Sequence, residues 1–278
     1  MTESGYDPAE HYDRVTEAWR LLLGEELHYG LFGHGDETLP AATAALTLRM
    51  IESARLAPGL DVLDVGCGSG APACRLATDL GVHVVGITTS AVGAAAARAR
   101  AVTEGAGLAT FEQRDGTDNA FAGESFDRVW VLESSHLMRE RERLIAECAR
   151  VLRPGGRLVL CDLVRHREIP FREVRDRRAD FATLRTAFGD AHFETLAFYT
   201  AAVQAQGLAV DVVEDLTQPT LPTFDRWRNN ADAHRIAATL ALGAEGFDAF
   251  VRSCDILEAF WRDGTFGYGL LAAVKPEQ

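Results

Sequence analysis

The sequence predicts an α/β fold: a mostly parallel sheet of seven strands, a helical segment ahead of it and a helical insertion in its second half. Three observations carry this. Short apolar runs alternate with helix-like stretches of about ten residues, the pattern of βαβ units whose sheet is buried on both faces. The first apolar run ends in glycines at alternate positions and opens straight into a helix. A chain of 278 residues also buries about three quarters of its unfolded surface, so it needs no staples.

In order, residues 1–39 read as short helices joined by a glycine-rich turn between Gly30 and Gly35, and 43–57 as an amphipathic helix stopped by Pro58-Gly59. Strands follow at 60–65, 82–87, 109–114, 126–132 and 158–163. The helices between them are 71–80, 90–104 and 139–152, the last leading into the turn Arg153-Pro154-Gly155-Gly156. Residues 165–205 read as helical without a strand, 208–214 as a strand, 222–262 as a long helical region, and 266–274 as the final strand. The division is then 1–57, an N-terminal helical lid; 58–164, the binding core; 165–206, a helical substrate cap; and 207–278, the rest of the core.

Composition narrows the function. The chain is 47% hydrophobic and 25% charged, with a formal net charge of −13 that would repel a phosphate backbone and argues against nucleic acid. The five cysteines form no C-x-x-C pair and are an odd number, a poor disulfide framework. Residues 1–20 lack the apolar run of a signal peptide, and no stretch reaches the roughly 18 apolar residues of a membrane helix. A cytoplasmic protein with no membrane partner is expected; a homo-oligomer stays open.

The sharpest signal is Asp61-Val62-Leu63-Asp64-Val65-Gly66-Cys67-Gly68-Ser69-Gly70. Glycines here let the backbone turn tightly beside a ligand, and the free N–H groups of the following helix suit a carboxylate or phosphate. A Walker loop fails, because Ala71 follows where Lys is required. Gly66, Gly68 and Ala71 satisfy G-x-G-x-x-A, but the next strand ends Gly86-Ile87-Thr88-Thr89-Ser90, without the ribose-binding acid of a dinucleotide site. Asp64 favours a ligand with an ammonium group, which S-adenosylmethionine (SAM) carries and NAD does not. The plainer alternative is that Asp64 ties down the loop.

With these residues the sequence resembles the Rossmann-like SAM-dependent methyltransferases, whose sheet is doubly wound. Residues 62–70 look like the family's first motif. Arg114-Asp115-Gly116-Thr117-Asp118-Asn119-Ala120-Phe121 with Ser125-Phe126-Asp127 resembles its second, and Leu152-Arg153-Pro154-Gly155-Gly156-Arg157-Leu158 its third. The resemblance implies that Asp64, Gly66 and Gly68 hold the methionine end of SAM, Thr88 the ribose, and Asp115 with the Gly116 backbone the adenine. Thr88 stands where most members carry an acid; similar G-I-T-x-S strand ends occur in the cyclopropane-synthase and sterol methyltransferase branch. Leu27-His28-Tyr29-Gly30-Leu31-Phe32 and Glu133-Ser134-Ser135-His136-Leu137-Met138 resemble segments of natural-product and sugar O-methyltransferases, with the second histidine of E-S-x-H-H-M replaced by Leu137.

Methyl transfer from a sulfonium needs alignment above all, and an oxygen nucleophile also needs its proton removed. His136 follows a buried strand at the ligand-binding edge of the sheet, and an imidazole is a suitable base there. Asp162 ends a neighbouring strand and could orient it; against this, His136 could cap the next helix and Asp162 pair with an arginine. Glu133 is counted with the cofactor site. Tyr12 and Tyr29 are candidates to close over the SAM carboxylate, and His28 and His192 to touch the acceptor, with solvated histidines as the competing reading for these two and for His34. Arg165, Arg167, Arg172, Arg175, Arg177 and Arg178 could bind an anionic acceptor, but salt bridges within a solvated helix are the favoured reading. No residues have metal-ligand spacing, and no metal is expected. The expected function is O-methylation of a natural-product hydroxyl. C-methylation of an alkene, prenyl or aromatic acceptor is the alternative, or a SAM-binding cyclase; an NAD-dependent oxidoreductase rests only on G-x-G-x-x-A.

Overall fold

Strands β1 (Asp61–Val65), β2 (His83–Thr88), β3 (Ala109–Gln113), β4 (Phe126–Leu132), β5 (Leu152–Arg165), β6 (Ala209–Asp215) and β7 (Phe266–Val274) form one sheet in the order β3-β2-β1-β4-β5-β7-β6. Pairings from β3 across to β5 are parallel, and β7 runs antiparallel to both β5 and β6. The computed structural model from which this is read describes residues 18–277. This is the Rossmann-like doubly wound sheet that the sequence predicts. Side chains alternate between two cores with the period of a strand. Val129, Val131, Leu158 and Leu160 enter one core, and Trp130, Leu132, Val159 and Cys161 the other.

Helices are numbered from the first that lies wholly within the described residues: α1 (Leu39–Ala54), α2 (Ala71–Leu80), α3 (Ala91–Glu104), α4 (Arg141–Val151), α5 (Phe171–Asp176), α6 (Arg178–Phe188), α7 (Leu196–Ala205), α8 (Thr217–Thr220), α9 (Thr223–Ala233) and α10 (Arg235–Arg262). Before them, residues 18–23 are helical and 24–38 run as an irregular strap. No helix among the described residues is long and apolar enough to cross a membrane.

Four elements differ in detail from the sequence reading. Helix α1 starts at Leu39 rather than 43, because Thr38 caps it and Pro40 fits its first turn. The Arg153–Gly156 turn lies inside β5, where the pairing jumps from Phe126–Leu152 to Arg128–Arg157. Between these pairs one residue of β4, Asp127, faces four of β5, a bulge with Gly155 at φ 75°. The helical region 222–262 divides into α9 and α10, and α10 breaks at Gly243, which has φ 75°. Within the segment expected to be cap, α7 packs on the sheet: Tyr199 and Val203 are fully buried in the core with Leu158, Leu160 and Leu271.

Candidate active site

The chain leaves β1 toward β2 and β3, then returns to place β4 on the other side of β1. That reversal opens a crevice at the carboxyl ends of β1 and β4, the position where open α/β sheets hold ligands. A cleft of about 380 Å3 lies there, lined by Asp64, Gly66, Gly68, Thr88, Asp115 and Gly116 among others. These residues, far apart in the sequence, are brought to one wall as expected. The Asp64 carboxylate is buried, burial pushes it up to about 7, and no donor reaches it from the described residues. Asp115 accepts from the backbone and hydroxyl of Thr117, both at 2.8 Å, which fixes the turn at the far end of the cleft.

Gly66 shows why the loop excludes side chains. Its φ is +83°, and a Cβ would lie 2.2 Å from the Cβ of Ser134, whose hydroxyl donates to the Val65 carbonyl at 2.7 Å. Gly66→Ala is expected to cost about 2–4 kcal/mol, from backbone strain plus overpacking. Urea unfolding checks this, and adding Ser134→Gly should return part of the loss. A Gly66→Ala protein as stable as the parent would show that the contact yields freely.

A second cavity of about 570 Å3 adjoins the first, and Leu27 and Glu133 line both. Its wall joins the aromatics Trp19, Phe181, Phe188, Phe193, Trp227 and Phe266 to aliphatic side chains, and its ionisable groups are Glu133, His136, Arg165, Arg185, Asp190 and His192. Glu133 stands at the seam with φ 46°, a strained conformation for a residue with a side chain. Its carboxylate accepts the Tyr29 N–H at 2.7 Å and the Tyr268 hydroxyl at 2.5 Å. Burial pushes Glu133 up to about 7, against the opposing pull of the His28 charge and these two bonds.

His136 sits in a single 3-10 turn, Ser135–Leu137, directly beyond β4. Its Nδ1 lies 2.6 Å from Asp162 Oδ1, and its backbone N–H donates to Asp162 Oδ2 at 3.1 Å. Asp162 is fully buried; burial alone would raise it, but the His136 charge and the donors around it hold it below the ordinary carboxylate value. An ionised carboxylate accepts from Nδ1–H, so the imidazole keeps its free lone pair on Nε2. No described residue bonds Nε2, and the ring lies on the wall of the second cavity.

The strap 24–38 departs from the sequence reading in two places. Tyr29, expected beside the SAM carboxylate, lines the second cavity instead, its ring stacked 5.4 Å from Trp261 and tilted against Trp227 at 4.7 Å. Along the strap, Leu27 lines both cavities, His28 the cofactor cleft and Tyr29 the aromatic side. His28, expected at the acceptor, lines the cofactor cleft and is buried. Its Nδ1 faces the Tyr29 carbonyl at 2.8 Å and its Nε2 the Glu26 carboxylate at 3.1 Å, so both nitrogens meet acceptors. Burial would depress the imidazolium, but the bond to Glu26 and the charges of Glu133 and Glu26 outweigh it and raise its pKa. His192 does reach the second cavity, at a partly exposed rim 3.6 Å from Asp190. Tyr12 lies outside the described residues.

A family model described as a methyltransferase domain matches residues 63–160. The 27-O-demethylrifamycin SV methyltransferase of Amycolatopsis mediterranei is 34% identical over 268 residues, covering 96% of each chain. The chain belongs to the methyltransferase family. It is a SAM-dependent enzyme. Methyltransferase GfsG of Streptomyces halstedii is 32% identical over 271 residues, covering 96% of this chain and 93% of its own. The solved structure of the (4+2)-cyclase SpnF is also similar, with a TM-score of 0.82 and 27% identity over 97% of this chain and 96% of that one.

The cap arginines of this methyltransferase mostly face carboxylates. Arg165 meets Glu168 and Glu194, Arg167 meets Glu173, Arg172 and Arg175 meet Asp176, and Arg177 meets Asp180. Among the described residues, no group of three or more His, Cys, Asp or Glu side chains is placed to hold a metal. Sequence reasoning did not single out Leu27, Tyr268 or Ser135. The link from Ser135 to Asp162 appears only once β4 and β5 lie side by side.

Proposed function

We propose that this methyltransferase methylates a hydroxyl oxygen of a small, largely apolar natural product, with His136 as general base and Asp162 orienting it. The observation that carries this is the His136–Asp162 pair, which leaves Nε2 on a cavity that meets the cofactor cleft at Leu27 and Glu133. The name of the rifamycin relative, which specifies an oxygen, supports the choice of atom.

The residues present fit SAM. Asp64 offers a buried, unpartnered carboxylate to an ammonium group. Gly66 and Gly68 keep the backbone bare beside it, Thr88 lies within reach of a ribose, and Asp115 and Gly116 close the adenine end. When bound, SAM supplies a methyl group on a sulfonium whose departure leaves a neutral thioether. The chain's own work is alignment and proton removal. The aromatic wall holds the acceptor and excludes water, and His136 Nε2 takes the hydroxyl proton. The resulting imidazolium is held by ionised Asp162, which keeps its own proton count unchanged.

The likeness to a cyclase favours a second reading, in which the fold binds SAM without spending it. Incubation with SAM and hydroxylated, largely apolar natural-product acceptors separates them. One S-adenosylhomocysteine should form per product, with the new methyl on oxygen by NMR. Acceptor conversion without S-adenosylhomocysteine, or a new carbon–methyl bond, would overturn the proposal.

A further inference from the structure

Behind His136 a chain of hydrogen bonds runs into the protein core. Asp162 accepts from His136 Nδ1 at 2.6 Å, from the His136 backbone at 3.1 Å, from the Leu163 backbone at 2.7 Å and from the Ser135 hydroxyl at 2.5 Å. Four donors fill the lone-pair directions of a carboxylate. Ser135 has a single proton, and Asp162 takes it. The Tyr199 hydroxyl, 2.7 Å from Ser135 Oγ, must therefore be a donor to that oxygen. Tyr199 comes from α7, 64 residues along the chain, and is itself fully buried. The order is fixed: Tyr199 O–H to Ser135 O–H to Asp162, with His136 Nδ1–H arriving from the other side.

Building on the base assignment above, we propose that Ser135 and Tyr199 are positioning residues that set the basicity of His136 by sharing the negative charge of Asp162. Donors on a carboxylate stabilise its anion and compete for its charge. Each donor added behind Asp162 leaves less of that charge to hold a proton on His136. Tyr199 strengthens the Ser135 donor by polarising it. The arrangement keeps Asp162 ionised once the proton arrives. The other groups around the pair are Glu133 beyond β4, Cys161 on β5 and Tyr268 on β7, which all feel the Asp162 charge. Arg141 of α4 faces the Tyr199 hydroxyl and the His136 carbonyl, and His192 of the rim donates its backbone N–H to that carbonyl at 2.8 Å.

The test uses Ser135→Ala and Tyr199→Phe, with Ser135→Thr as the conservative control. Histidine NMR follows the His136 titration in the complex with S-adenosylhomocysteine, and kcat is measured from pH 5.5 to 9. The His136 midpoint should move upward by roughly 0.5–1 pH unit in Ser135→Ala and by less in Tyr199→Phe, and return in Ser135→Thr. The kcat profile should move with it, so that the loss grows toward acid, to a limit of about three- to tenfold well below the midpoint, and falls under twofold at pH 9. An unmoved or lowered NMR midpoint in Ser135→Ala overturns the inference. A midpoint that moves while the kcat profile stays fixed supports it and removes His136 from the role of base.

Discussion

Replacing His136 by alanine is expected to lower kcat by about 10²–10⁴ while leaving SAM affinity within about twofold. The two effects separate because the imidazole lines the acceptor cavity and not the cofactor cleft. An alcohol oxygen is a weak nucleophile until its proton leaves, and Nε2 is the acceptor that the Asp162 bond leaves free. The variant should still fold. Asp162 keeps the Ser135 hydroxyl and two backbone N–H donors, so its charge is not left bare in the core. Single-turnover methyl transfer with saturating acceptor measures the step directly. A His136→Ala enzyme with more than about a third of the parent's kcat would remove oxygen deprotonation from the mechanism. Methylation of a carbon would then become the better account, since an alkene gives up no proton before attack.

The sheet and the cofactor wall were legible in the sequence because local rules decide them. Alternation of Val129, Trp130, Val131 and Leu132 reads as a two-faced strand whatever surrounds it, and Gly66 announces a backbone conformation that Ala avoids. Position on the sheet did the same for His136 and Asp162, since one follows β4 and the other lies near the end of β5, at the edge where such folds work. What the sequence hid depends on distant partners. His28 looks like a loop histidine, yet Thr47 and Glu26 enclose it. Tyr29 faces away from the cofactor because Phe224, Trp227, Trp261 and Tyr268 gather around its ring from three later elements. Tyr199 reads as one aromatic of a helical insertion; its link to Ser135 exists only once α7 lies on the sheet.

The second large effect belongs to Asp64, and it carries a sign that a merely structural residue would not show. Its carboxylate is pushed up to about 7 by burial, so at acidic pH it is protonated and accepts a buried ammonium poorly. SAM affinity should therefore rise from pH 5.5 to 7.5 by roughly twentyfold as the group ionises. Asp64→Asn should raise Kd by about 10²–10³ at pH 7.5, the usual cost of removing one partner of a buried ion pair. The difference between the two proteins should shrink toward pH 5.5, where the parent's own charge is lost. Stability without SAM should move the opposite way. A carboxylate whose folded pKa is raised binds its proton more tightly when folded, so its contribution falls as pH rises from about 4 through about 7. Above that window the unliganded Asp64→Asn protein should be the more stable one, because it no longer buries an unpaired charge. Calorimetric titration and thermal unfolding at three pH values measure both arms. Asp64→Asn binding SAM as tightly as the parent at pH 7.5 would show that the ammonium is held elsewhere. A variant both weaker in binding and less stable at pH 8 would return Asp64 to the role of a loop tie.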